Sequence, residues 1–226
     1  MDIGYDFNWK AILDYGPQIW SGILYTILSS LVGIVGALVV GLGCGAVLAY
    51  RFPIAKQIVS GYVAFFRYTP ILVQIFFIYY ALPSVGIKLG VFQVVAIALI
   101  LWGGAYNAEN FRAAFEAVSP GFKQSSAALG MSQLQTFQHV VFPIAGRIVI
   151  PSAINTSISI LKDTAYLSAI GFAELTYVAT NIVANDFRVF EMFSILGLVY
   201  LGLVLMLSLS ANRVHERLKA RGTVAN

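Results

Sequence analysis

The sequence predicts an all-α integral membrane protein with five transmembrane helices, and three features of it carry that expectation. The first is composition: of 226 residues 59% are hydrophobic and 11% charged, against about 25% charged in a soluble domain. Mean hydropathy is correspondingly high, at +0.81. The second is the spacing of the charges, which leaves uncharged runs at 15–50, 68–87, 89–108 and 192–212, of 36, 20, 20 and 21 residues. About 20 apolar residues rising 1.5 Å each cross a hydrocarbon core of about 30 Å, so every run is long enough to span. The third is the one-sided placement of Lys and Arg, set out below. One cysteine, Cys44, and two histidines, His139 and His215, argue against disulfide or zinc chemistry.

The first span is expected at 19–50, after a polar start in which Trp9 and Trp20 suit an interfacial aromatic belt. That start has no basic, apolar and small-residue signal-peptide pattern, so the first helix is expected to direct insertion. Arg51, Pro53 and Lys56 mark its far end, and a second span follows at 58–82, interrupted by Arg67 and Pro70. Pro83-Ser84-Val85-Gly86 reads as a turn. A third span at 91–118 is long enough to tilt or to project beyond the bilayer, and Ser119-Pro120-Gly121 ends it. Residues 119–145 are too rich in Gln, Ser and Thr to face lipid and read as a water-side helical loop. Spans at 148–170 and 192–212 complete the chain, and residues 1–226 read as one transmembrane domain.

Orientation follows from basic residues, which are retained on the cytoplasmic side of short loops. Segments 51–56, 112–147 and 213–226 hold nine (Arg51, Lys56, Arg112, Lys123, Arg147, Arg213, Arg217, Lys219, Arg221). Segments 1–18, 83–90 and 171–191 hold three (Lys10, Lys88, Arg188). Five spans then put the N-terminus outside and the C-terminus in the cytoplasm. The net charge of +4 reports this topology and not nucleic-acid binding, because no basic stripe with interleaved aromatics is present.

Two patterns concern packing and chemistry inside the spans. Gly41-Leu42-Gly43-Cys44-Gly45-Ala46 fits a loose dinucleotide fingerprint, but no acidic residue follows within thirty positions. Gly33, Ala37, Gly41, Gly45 and Ala49 repeat every four residues, which puts small side chains on one face and lets another helix approach closely. In the fourth span Ser152, Asn155, Ser159, Lys162 and Tyr166 form one polar stripe, which must face protein or water. Lys162 and Asp163 are neighbours in sequence and point about 100° apart on a helix, so each needs a partner elsewhere. Glu109, Arg112 and Glu116 lie on one face of the third span and are candidate partners, as is Arg67. Charges at such depth cost about 2.5–3.5 kcal/mol even on the lenient insertion scale and are functional candidates by default. Static interhelical ion pairs are the structural alternative.

The loop Gly121-Phe122-Lys123-Gln124-Ser125-Ser126-Ala127-Ala128-Leu129-Gly130-Met131, continuing to Pro143, resembles the cytoplasmic EAA loop of ABC importer permeases. Phe65-Phe66-Arg67-Tyr68-Thr69-Pro70-Ile71-Leu72-Val73-Gln74 looks like the FFRGTPLLVQ stretch of the polar amino-acid permeases. Ala105-Tyr106-Asn107-Ala108-Glu109-Asn110-Phe111-Arg112 is similar to their AYxAExxR segment, and Ser159-Ile160-Leu161-Lys162-Asp163-Thr164 to their SLLKDT stretch. The motifs run in the family's order across residues 20–218. Gln124-Ser125-Ser126 stands where the family has Glu-Ala-Ala, and Tyr68 where it has glycine, setting a bulky ring beside Arg67.

The resemblance implies a type I ABC importer permease-like fold in a bacterial cytoplasmic (inner) membrane, surrounded by lipid. It implies a transport subunit and not an enzyme, with ATP and Mg bound by a partner ATPase and no cofactor in this chain. Partners would be a cytoplasmic ATPase dimer, a second permease subunit and an extracytoplasmic amino-acid-binding protein. The coupling residues would be Gln124, Ser125, Ser126, Ala127, Ala128, Leu129, Gly130 and Met131, on a short helix that docks in the ATPase. The substrate pathway would use Lys162, Asp163, Thr164, Ser159, Asn155, Glu109, Arg112 and Arg67. An ammonium would meet Asp163 or Glu109, and a carboxylate Lys162 or an arginine. A membrane hydrolase is disfavoured because both histidines lie outside the spans; a channel without energy input is a further alternative.

Overall fold

The computed structural model describes residues 8–50 and 53–220. Readings that involve Met1–Phe7 (numbers 1–7), Arg51 and Arg221 lie outside the described residues, as do the side chains of Arg217 and Lys219. A short turn at Ala11–Asp14 leads into α1, Gly16–Ala49, entered through Pro17 in its first turn. At 34 residues and about 1.5 Å per residue, α1 is longer than a bilayer core is thick.

The small-residue stripe of α1 meets α4 (Val91–Ala117) along its length. A Cβ built on Gly33 would stand 2.8 Å from Leu99 Cβ, and one on Gly45 would stand 2.8 Å from the Ala108 carbonyl oxygen. Both approaches are shorter than real side chains tolerate, so the backbones sit together because glycine is there. Ala37, Val94, Val95, Ala98 and Leu99 form the central core with Ile160 and Leu167.

The second span, expected at 58–82 with an interruption at Arg67 and Pro70, is sharply bent there. α2 (Pro53–Tyr68) and α3 (Ile71–Phe76), which continues as a π turn (Phe77–Ala81) and a 3-10 turn (Leu82–Val85), meet at a bend of 108°. Pro70 has no N–H to continue the ladder and disfavours helical geometry at Thr69. The carbonyls released at the break are met by buried Gln74, whose Nε2 donates to Phe66 O and Thr69 O, both at 3.0 Å, and to Thr69 Oγ1 at 2.8 Å. A broken helix survives at membrane depth where side chains satisfy its freed backbone groups.

After α4 come α5 (Pro120–Ala128) and α6 (Gln133–Thr136), then a π turn (Phe137–Val141) that runs directly into α7, Phe142–Asp163. The fourth span was expected to begin near 148, yet the chain is helical from Gln133 to Ile170. Pro143 falls in the first turn of α7, immediately behind the π turn, where its missing N–H does not break the ladder. A 3-10 segment, Thr164–Ile170, extends α7. The stretch 171–191, expected as a loop, contains α8 (Leu175–Asp186), and α9 (Val189–Ala220) outruns the expected 192–212 at both ends. Among the described residues four helices are long and apolar enough to cross a membrane, or five when the bent α2–α3 pair counts as one span. Leu28, Leu31, Val35 and Val39 of α1 and Leu198, Leu201 and Leu205 of α9 are exposed, an apolar surface suited to lipid or a neighbouring helix.

Candidate substrate groove and coupling surface

Polar residues on two apolar helices make the groove. α4 and α7 pack together, and between them opens a cavity of about 430 Å³ lined by Trp102, Tyr106 and Asn110 from one side and Ser152, Asn155, Thr156 and Ser159 from the other. Three of the five residues of the sequence's polar stripe, Ser152, Asn155 and Ser159, therefore face this groove. Asn110 Nδ2 donates to Thr156 Oγ1 at 3.0 Å and to Asn107 Oδ1 at 3.2 Å, tying the walls together at one end. Ser152 Oγ and Thr156 Oγ1 are turned onto the carbonyls of Val149 and Ser152. The Asn155 amide and the Ser159 hydroxyl have no hydrogen-bond partner among the described residues, and Asn155 is exposed.

Arg67 lies on the Tyr106 side. Its Cζ sits 5.3 Å from the centroid of the Tyr106 ring, a cation–π distance, while its buried Nε has no partner. The break after Tyr68 places it there by turning the chain away at the next residues. Tyr68, expected to set its ring beside Arg67, is instead 81% exposed, and Tyr106 supplies the ring.

Lys162 and Asp163 follow Ser159 by one turn. Lys162 is exposed and Asp163 half-buried, and neither has an ion-pair partner among the described residues. The partners expected for them on α4 are engaged with one another. Arg112 Nη2 is 2.6 Å from Glu109 Oε2 and its Nη1 is 2.6 Å from Glu116 Oε2, at i,i+3 and i,i+4 on the same helix. Local geometry wins here because three charges on one α4 face reach each other without any helix moving. Thr164, grouped with the pathway residues, is instead fully buried, with Oγ1 donating to Leu161 O and 3.3 Å from Tyr200 Oη.

Two fully buried carboxylates had no counterpart in the sequence reading. Glu174 caps α8, accepting from Thr176 N and Tyr177 N, both at 2.8 Å, and from Tyr200 Oη at 3.0 Å. Burial raises its pKa, against the pull of those hydrogen bonds. Glu191 accepts from Asn8 N at 2.9 Å. Glutamate is not a favoured cap, so Glu174 gave no cap signal in the sequence. Tyr106 and Asn110, at i,i+4 beside Glu109, had a readable spacing that the charged residues overshadowed.

The water-side loop folds into a reversal. Ser119 Oγ accepts from Gly121 N at the start of α5, and the helix ends with Gly130 at φ +73°. Met131 N donates to Ser126 O and Gly130 N to Ala127 O, the paired bonds of a Schellman motif. Ser132 and Gln135 then close a capping box on α6. Gln124, Ser125, Ala127, Ala128, Leu129 and Gly130 are exposed, Met131 is half-buried, and Ser126 points inward with Oγ on Phe122 O. Leu129 and Phe122 are apolar and open at 80% and 54%, an outward face without cover.

A membrane-embedded helical bundle with a polar groove between spans and an exposed helical loop on one side defines a transport subunit. Residues 37–221 match the family model of binding-protein-dependent transport system inner membrane components, and the chain belongs to that family. It is 34% identical over 215 residues to the glutamine transport system permease protein GlnP of Escherichia coli strain K12, covering 94% of this chain and 98% of that protein. It is 31% identical over 209 residues to a probable amino-acid ABC transporter permease, PatM, of Vibrio harveyi, covering 91% and 93%. A crystal structure of an amino acid ABC transporter with histidines superposes with a TM-score of 0.87 at 29% identity, over 94% of this chain and 100% of that one. An inward-facing MetNI methionine ABC transporter chain shares the fold, with a TM-score of 0.79 at 21% identity over 91% and 98%. The protein is thus an amino-acid ABC importer permease of the bacterial inner membrane, a transport subunit whose ATPase is a separate chain.

Proposed function

We propose that the protein carries a polar amino acid inward across the membrane, with its zwitterionic end between Asp163 on one side and Lys162 and Arg67 on the other, and its side chain in the α4–α7 groove. The observation that carries this reading is the conjunction of a polar groove with neighbouring intramembrane charges that have no ion-pair partner among the described residues. Uncompensated charge at that depth is expensive, and a bound zwitterion would compensate both signs. Glu109 and Arg112 act in this reading as a prebuilt ion-paired wall and not as ligands. The chain pairs with a second permease, identical or homologous, and an extracytoplasmic binding protein delivers the substrate. Two cytoplasmic ATPases, holding ATP and Mg, dock against exposed Gln124, Ser125, Ala127, Ala128 and Leu129. The N-terminus lies outside and the C-terminus in the cytoplasm.

ATP-dependent uptake of labelled amino acids into proteoliposomes containing the permease, its ATPase and its binding protein tests the reading. Accumulation of a polar amino acid that stops when ATP is withheld is the expected result. Equal flux with and without ATP would identify a channel instead.

A further inference from the structure

A second cavity, of about 570 Å³, shares no lining residue with the substrate groove and lies between the end of α1 and the loop that follows α4. Tyr50 at the end of α1, Lys123 of α5, and Gln133 and Thr136 of α6 give it polar walls, and Met131 and Val141 are among its apolar ones. The Tyr50 ring packs against Phe137, centroid to centroid 5.2 Å, which fixes that wall. None of the four polar side chains has a hydrogen-bond or ion-pair partner among the described residues. All four can donate, and the ammonium can only donate. An exposed lysine needs no partner in water; here three further donors, from two other elements, converge on the same recess.

The charge balance favours an anion. The lining residues come from stretches 15–108 and 117–162, neither of which contains an Asp or a Glu. Glu116, just outside them, is taken by Arg112 at 2.6 Å. The last carbonyls of α1 bring about half a negative charge to one wall. The full charge of Lys123 outweighs it. A phosphate suits such walls, because its ionised oxygens accept strong charge-assisted bonds, and the volume leaves room for the organic group esterified to it. Leu31, Val35 and Val39 expose an apolar face of α1 on the way to this end, so the cavity opens near the level where lipid head groups begin. Basic pockets at that level bind anionic head groups.

Resting on the import reading above, which sets this loop at the cytoplasmic surface, we propose that the cavity is a phosphate-binding site anchored by Lys123. The phosphate belongs to the head group of an anionic membrane lipid or to a soluble phosphate ester. Tyr50, Gln133 and Thr136 donate to its remaining oxygens, and Met131 and Val141 lie against the organic remainder. An occupant would bridge α1 to the chain reversal between α5 and α6.

The test is equilibrium binding of labelled short-chain phosphatidylglycerol to the permease–ATPase complex in non-ionic detergent, with glycerol 3-phosphate and phosphatidylcholine as competitors. A saturable component that phosphatidylcholine does not displace is expected. Lys123→Gln should weaken it at least about tenfold, the loss of one charge-assisted hydrogen bond, Lys123→Arg should retain most of it, and Thr136→Val should weaken it less. Displacement by glycerol 3-phosphate would assign the site to a soluble ester, and resistance to it would assign the site to lipid. Equal binding by the unsubstituted, Lys123→Gln and Thr136→Val complexes would overturn the proposal. So would binding to the permease alone that disappears when the ATPase is added, which would give the cavity to that interface. Orientation is read separately, from labelling of Lys123 by a membrane-impermeant amine reagent in sealed spheroplasts, with Lys123→Arg as the blank. Labelling from outside together with Lys123-dependent binding would refute the placement of the loop and leave the site standing. Labelling only after permeabilisation, without saturable binding, would refute the site and leave the import reading standing.

Discussion

Coupling between permease and ATPase hangs on the chain reversal at Gly130, and its energetics can be worked from the turn. Gly130 has φ +73°, and a Cβ built on it meets nothing within 4 Å. A side chain there costs conformational energy only, about 1–2 kcal/mol for an L-residue in the left-handed region, with no steric clash to add. That energy corresponds to roughly a fivefold to thirtyfold shift in the ratio of formed to unformed turn. Asparagine tolerates the left-handed region better than most residues and should retain most of the turn; valine, branched at Cβ, should retain least. The bonds Met131 N to Ser126 O and Gly130 N to Ala127 O, which fix Leu129 at the outer corner, would be lost with it. We therefore expect Gly130→Val to insert and assemble but to lose most substrate-stimulated ATP hydrolysis, and Gly130→Asn to keep most of it. Gly130→Trp should abolish stimulation, since bulk at the corner also blocks docking. The assay is ATP hydrolysis by reconstituted complex with and without loaded binding protein. Full stimulation in the valine variant, or equal loss in valine and asparagine variants, would refute the turn-based account.

Three further outcomes are expected. Glu174→Ala removes the α8 cap and one of the Tyr200 hydroxyl's hydrogen bonds, leaving it Thr164 and Thr176, which should cost about 0.5–2 kcal/mol from the lost cap, read as a lowered unfolding temperature in detergent. Because burial raises the Glu174 pKa above its ordinary 4.5, the fold binds that proton more tightly than the unfolded chain. Its contribution should be greatest below 4.5 and decline as pH rises through the raised value, and Glu174→Gln should flatten that dependence. Gln74→Leu leaves three oxygen acceptors at the α2–α3 break without their donor and should cost about 1–3 kcal/mol, measured by the same unfolding transition. A protease-sensitive tag at Met1 should be cut from outside in sealed spheroplasts while one at Asn226 is protected; protection of the N-terminal tag would mean an odd error in the span count.

The helices and their closest contact were legible because their signals are local. Twenty-residue uncharged runs and a four-residue glycine and alanine repeat follow directly from bilayer thickness and helix pitch, and Gly41 and Gly45 do meet the α4 backbone closely. The break at Pro70 was visible as an interruption, but its sharpness depends on Gln74 reaching back to Phe66 and Thr69, which no periodicity encodes. The stretch before 148 was expected to be helical but separate; its continuity with the fourth span was hidden because its polar residues argue against lipid and say nothing of where one helix ends and the next begins. At the groove, Asn155 and Ser159 followed from the polar stripe, whereas Trp102, Tyr106 and Asn110 come from a second helix whose rotation depends on the glycine seam. Charges misled most: Glu109 and Arg112 share a helix face with Glu116 and satisfy each other.

The central claim is that the charges beside the groove serve a zwitterion and not the fold, and Asp163→Asn separates the two. Losing one charge-assisted hydrogen bond to a ligand costs about 1.5–3 kcal/mol, roughly tenfold to more than a hundredfold in affinity. Removing one partner of a buried structural ion pair would instead cost about 3–5 kcal/mol of stability. The measurement is ATP-driven amino-acid uptake by reconstituted Asp163→Asn complex, alongside its yield and unfolding temperature. The account predicts a normally assembled complex with uptake reduced at least about tenfold at subsaturating substrate. Uptake at the unsubstituted rate, or a complex that fails to assemble, would contradict it.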